Sequence, residues 1–119
     1  MDTIWQLIFK RLKEDGIEVY PPATHKGECI NSYCVIKENG SSKFQNFSSE
    51  VSYYSLSCYV PYNKYHELSQ FCEHCNNSIE KLFPTVKFTG EKTPDFYDDT
   101  VKGYMRSLQY SNYSHNRKI

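Results

Sequence analysis

The stretch "VSYYSLSCYVP" (residues 51–61) decides the fold. In an extended chain Tyr54, Leu56, Cys58 and Val60 fall on one side, while Tyr53, Ser55, Ser57 and Tyr59 fall on the other. This period of two predicts a half-buried antiparallel strand, with the aliphatic row turned to a core and the serine-tyrosine row turned outward. Working backwards, "SYCVIKENGSS" predicts a strand over 33–37 that runs into Asn39-Gly40, a strong turn signal. The polar residues 41–49 read as a wide loop or an extra weak strand. Residues 17–20 read as a short edge strand, broken by Pro21 and Pro22.

Two helices flank these strands. Near the N-terminus, Ile4, Trp5, Ile8 and Leu12 recur at helical spacing, with Asp2 or Thr3 available as cap and Gly16 as a left-handed stop. After the strand, Tyr65, Leu68, Cys72, Cys75, Ile79 and Leu82 alternate at three and four residues as far as Pro84, with Asn63 as the candidate cap. Then "TVKFTG" predicts a short strand ended by Gly90, "EKTPDFYDD" a polar turn-rich loop, and "TVKGYMRSLQYSNY" a long final strand. Residues 1–119 form one domain in this reading, with a short flexible tail from about 114 to 119. The expected class is α+β: a mainly antiparallel sheet with two helices packed on one face.

The 14 basic and 14 acidic side chains cancel, so no global field draws the chain to nucleic acid or an anionic surface. No apolar run reaches the ~20 residues of a membrane span. The first residues do not form a signal peptide, and the five cysteines are expected to stay reduced. The aromatic load is high: 11 Tyr, 7 Phe and 1 Trp. Tyrosine pairs an apolar body with a polar tip, which leans towards a protein that works through contact.

Cys72-x-x-Cys75 is the most chemically suggestive spacing. A structural zinc site needs four ligands, usually a second close pair, and Cys34 and Cys58 lie in separate strands. His66 and His74 point away from the cysteine stripe. A redox dithiol needs a helix N-terminus to stabilise thiolate, whereas Cys72 is two turns into its helix, where burial raises a thiol pKa. Both cysteines are therefore expected to be core residues. Asp95, Asp98 and Asp99 lack the glycine and alternation of a calcium loop, so an acidic turn is favoured over a cation site. Lys102, Arg106, Arg117 and Lys118 make the C-terminal end basic, which suits a solvated strand face, a subunit contact or a nucleic acid. No catalytic residue, cofactor or metal ligand is assigned.

Taken together, "VYPPATHKGECINSYCVIKENG", "VSYYSLSCYVPYNKYHEL" and "TPDFYDDTVKGYMRSLQYSNY" resemble the tail terminator proteins of long-tailed bacteriophages and prophages, also called tail completion or head–tail joining proteins. The likeness covers nearly the whole chain and is most specific in the last stretch. It implies a non-enzymatic virion protein, assembled in the host cytoplasm, that caps the head-proximal end of the tail tube as a hexameric ring. The implied partners are further copies of the chain, the major tail tube protein and the head-completion or connector protein. DNA passes through the lumen without being read, and no membrane is involved. Another connector, neck or minor tail subunit is the nearest alternative; a small Cys-dependent zinc-binding regulator is a more distant one. A ring needs two different patches that meet head to tail. Tyr53, Tyr59, Phe96, Tyr97, Tyr104, Arg106 and Tyr110 are the candidate subunit-interface residues, and Lys43 with the 41–49 segment is a candidate for the lumen or the tube contact.

Overall fold

The computed structural model describes residues 3–43 and 49–115. The first helix, α1 (Ile4–Glu14), is opened by Thr3. Its hydroxyl accepts from the Gln6 N–H (3.1 Å) while the Gln6 side chain accepts from the Thr3 N–H (2.8 Å), a reciprocal cap. Gly16 supplies the positive φ (76°) that turns the chain out of the helix. Ile8 and Leu12 are fully buried, and Ile4, Trp5 and Phe9 pack around them.

The described residues form six strands, β1 (Val19–Tyr20), β2 (Tyr33–Lys43), β3 (Ser49–Pro61), β4 (Lys87–Lys92), β5 (Phe96–Asp98) and β6 (Gly103–His115). The sheet order is β1-β2-β3-β6-β4, with β5 also pairing β6. Among the described residues only the β1–β2 contact is parallel. The second helix, α2 (Leu68–Glu80), follows β3 through a 3-10 turn over Tyr62–Glu67. Tyr54, Leu56, Cys58 and Val60 are buried as the alternation predicts, beneath Leu68, Cys72, Cys75 and Ile79 of α2. Both helices pack on this one face, so the α+β architecture holds.

Several boundaries differ for physical reasons. Asn39-Gly40 is not a hairpin turn: β2 runs through it to Lys43, and the register slips between Glu38 and Ser41. Gly40, at φ 93°, takes the extra residue as a bulge. The edge strand shrinks to two residues because β2 offers β1 only Cys34 and Val35 as partners. On the same edge the Trp5 indole N–H donates to the Ile36 carbonyl (2.9 Å), satisfying a group that a longer β1 would have met. Asn63 is no cap; it lies inside the 3-10 turn, and Tyr65 therefore leaves the apolar stripe and is exposed. Beyond Gly90, β4 continues with a register shift between Phe88 and Lys92. The "EKTPDFYDD" segment contains β5, paired to β6 at Met105, Tyr104 and Gly103. Ser114 and His115, expected in a tail, still pair with β3. The Lys43 side chain, residues 44–48 and residues 116–119, which carry the lumen and tail expectations, lie outside the described residues.

The two helices are clipped together at Asp15. Its carboxylate accepts from the Lys81 ammonium at 2.9 and 3.1 Å and from Arg11 at 3.1 Å. The Ser78 hydroxyl and Lys81 hold its pKa well below the usual range, at about 2. A depressed carboxyl pKa stabilises the fold fully above the unfolded value near 4 and loses that contribution as pH falls towards the folded value. Urea midpoints of the native chain are therefore expected to drop through this acid window. Asp15→Asn should flatten the decline, and an unchanged slope would refute the assignment.

Candidate functional site

The sheet has two unlike faces. On the helix-free face, Tyr53, Ser55, Ser57 and Tyr59 of β3 stand beside Ser111, Gln109, Ser107 and Met105 of β6, all half-exposed. Ser57 and Ser107 share a hydrogen bond across the strands (Oγ–Oγ 3.1 Å). One end of this face is closed by the chain's own 21–32 segment: His25 stacks on Tyr33 (3.8 Å between centroids) and Tyr33 on Tyr59 (4.8 Å). Burial, more than the nearby ionisable groups, pushes the Tyr33 and Tyr59 phenols up. Tyr59 is therefore engaged within the chain, whereas Tyr53 stands at the open part.

The remaining interface candidates divide. Phe96 and Tyr97 are exposed, at 48% and 42%. Phe96 pairs with Met105, on the helix-free face, and Tyr97 stacks edge-on against Tyr104 (5.3 Å), on the opposite face. Tyr104 is half-buried and also meets Tyr65 at 4.6 Å. Tyr110 cannot serve as an interface residue. It is fully buried, donates to the Asn76 side-chain carbonyl (2.6 Å) and packs on Phe88 (5.5 Å). Its position in β6 puts it on the same face as Leu108, under α2, so the pleat settles the correction.

Arg106 lies on that helix face too. Its guanidinium grips Asp95 with two hydrogen bonds, Nε to Oδ1 (2.5 Å) and Nη2 to Oδ2 (2.9 Å), and also donates to Ser69 (3.1 Å). The Tyr65 hydroxyl donates to the same carboxylate (2.7 Å). Arg106 is the larger cause, and Tyr65 a further one, of an Asp95 pKa held below the ordinary range. Asp98 accepts from the Thr100 N–H (3.0 Å) and hydroxyl (2.6 Å), closing an Asx turn. The acidic segment is thus a turn and a clasp. Of the basic C-terminal residues, Lys102 pairs with Glu28 (3.6 Å), Arg106 is committed to Asp95, and Arg117 and Lys118 lie outside the described residues.

The cysteines are closer together than their spacing suggested. Cys34 and Cys58 are direct cross-strand partners, and both face Cys72 and Cys75 on α2. The second close pair that sequence reasoning denied is therefore present, built by strand register. The thiols form a chain, Cys34 to Cys75, Cys75 to Cys58, and Cys58 to Cys72. Among the described residues no group of three or more His, Cys, Asp or Glu is placed to hold a metal ion. Hydrogen bonding to Cys75 raises Cys34, and hydrogen bonding to Cys72 and Cys75 raises Cys58, with burial adding to both. The same bonds hold Cys72 and Cys75 low. Burial does raise the Cys72 thiol as expected, but the bond from Cys58, helped by the Arg106 charge, carries it below its ordinary value.

Among the described residues no helix is long and apolar enough to cross a membrane. No family model matches the chain, and no curated protein matches it either.

Proposed function

We propose that this chain is a structural subunit of a long phage tail, a terminator that assembles as a ring on the head-proximal end of the tail tube and joins it to the head. The observation that carries the reading is the sheet face without helices. It is half-exposed, rich in serine and tyrosine, and bordered by exposed Phe96. A face of small polar residues between aromatic anchors suits a closely apposed protein surface better than a small-molecule cavity. The sequence resemblance points to the same class. In this reading Tyr53 and Phe96 belong to one patch of a head-to-tail interface, and Tyr97 and Tyr104, on the other side of the sheet, belong to the second. The zero net charge suits a lumen through which DNA slides.

The test is electron microscopy of particles assembled with the gene deleted. Tails of irregular length, detached from filled heads, are expected. Tails of uniform length joined normally to heads would overturn the proposal.

A further inference from the structure

All five cysteines are free thiols, and four of them reach one core layer from three different elements. Strand register and two side-chain tethers set their positions. Cys34 and Cys58 oppose each other across β2 and β3. The Cys34 N–H turns away from β3 to the Glu18 carbonyl (2.9 Å), so this is a non-hydrogen-bonded pair, the kind that brings side chains close. On its other flank Cys58 opposes Arg106, whose Nη2 donates to Ser69 of α2 (3.1 Å). Cys72 lies one turn beyond Ser69 on the same helix face. Further along, the Tyr110 hydroxyl ties β6 to Asn76 of α2 (2.6 Å). Between these tethers the helix sets its two thiols on the strand thiols. Cys58 hydrogen-bonds to Cys72 and Cys75, and Cys34 to Cys75. Cys29 stands outside this layer, where its thiol donates to the Asn31 carbonyl (3.4 Å).

We infer that Cys58 and Cys72 are a redox pair, which a small peroxide oxidises to a disulfide that staples α2 to β3. Cys72 borders a cavity of about 280 Å³ between α2 and β4, wide enough for a molecule little larger than water. There its sulfur attacks one oxygen of hydrogen peroxide. The O–O bond breaks, the thiol proton leaves with the departing hydroxide as water, and a sulfenic acid remains. The Cys58 sulfur then attacks the Cys72 sulfur. The S–O bond breaks, an S–S bond forms, and the Cys58 proton leaves with the hydroxide as a second water. Together the two thiols give up two electrons and two protons, and the peroxide takes them up. Proximity selects the pair. Cys72 has a resolving thiol in hydrogen-bond contact, whereas the Cys29 thiol is turned to a backbone carbonyl. The inference concerns the core of one subunit and stands apart from the tail reading.

The experiment treats the native full chain with hydrogen peroxide at neutral pH and blocks the remaining thiols with N-ethylmaleimide in denaturant. Peptide mass spectrometry without reductant then maps the links over time. The first product expected is a chain lighter by two hydrogens, with Cys58 joined to Cys72 and reopened by dithiothreitol. Closing a loop of about 15 residues should lower its unfolding equilibrium constant roughly a hundredfold, read from urea curves with and without dithiothreitol. Cys29→Ala should oxidise as the native chain does, and Cys58→Ala should lose the product. If Cys58→Ala does not fold, the link map of the native chain decides alone. A first disulfide between any other two cysteines, oxidation that stops short of a disulfide, no reaction before denaturation, or an oxidised chain no more stable than the reduced one would each overturn the inference.

Discussion

Replacing Tyr110 by Ala is expected to lower the free energy of unfolding by about 3–5 kcal/mol, the range for truncating a large buried aromatic side chain. Tyr110 is wholly enclosed, opposes Tyr54 in the β3–β6 register and packs on Phe88. It also lines a cavity of about 480 Å³ with Ile79, Phe83 and Val86, so the space left by truncation would join an existing gap rather than collapse. Tyr110→Phe keeps the ring and loses only the bond to Asn76, which should cost about 1 kcal/mol. On the helix-free face, Tyr53→Ala removes a half-exposed side chain and should stay within about 1 kcal/mol. Urea unfolding of the three variants as isolated chains provides the check. Equal losses for Tyr53→Ala and Tyr110→Ala would mean that the two faces are wrongly assigned.

The second large effect belongs to the Arg106–Asp95 clasp. Both side chains are about four-fifths covered, at 18% and 20% exposure, so the pair lies between a surface bridge and a buried one. Arg106→Ala removes both bonds to Asp95 and the bond to Ser69, and leaves a largely covered carboxylate with Tyr65 as its remaining donor among the described residues. A loss of about 1–3 kcal/mol is expected, less than for a fully buried pair because water reaches the site. Arg106→Lys should recover little, since an ammonium cannot reproduce the two-pronged geometry. A double-mutant cycle with Asp95→Ala should show a coupling of about 1–2 kcal/mol, and additive effects would refute the clasp. Because the Asp95 pKa is depressed, the coupling should be full at neutral pH and fade as the medium is acidified below the ordinary carboxylate range.

These two sites separate what the sequence conveys from what it conceals. The alternation across Tyr53 to Val60 was legible because a strand sends successive side chains to opposite faces, whatever its neighbours are. The Leu68, Cys72, Cys75 and Ile79 stripe was legible for the same kind of reason, with period 3.6. β6 was recognisable as a strand, but its facing was not. Arg106 and Tyr110 looked like partner-facing residues, yet pairing of Leu56 with Leu108 places them on the helix side, where Arg106 is committed to Asp95 and Tyr110 is enclosed. No local pattern reports that pairing.

The thiol chain was hidden by the same gap. Cys34 and Cys58 are 24 positions apart and become neighbours only because the β2–β3 register matches them, while the bulge at Asn39-Gly40 resets the pairing further along. Asp95 meets Arg106 11 residues away and Tyr65 30 residues away, contacts created by β5 folding back on β6. By itself the sequence determined the two helices, the longer strands, their order and the apolar side of β3 and α2, since these follow from covalent geometry repeated along a short segment. The tertiary structure alone decided which cysteines come together, which tyrosines are committed to the core and which face of the sheet remains uncovered. Those outcomes depend on register and packing between distant segments, where a shift of one residue exchanges the two faces.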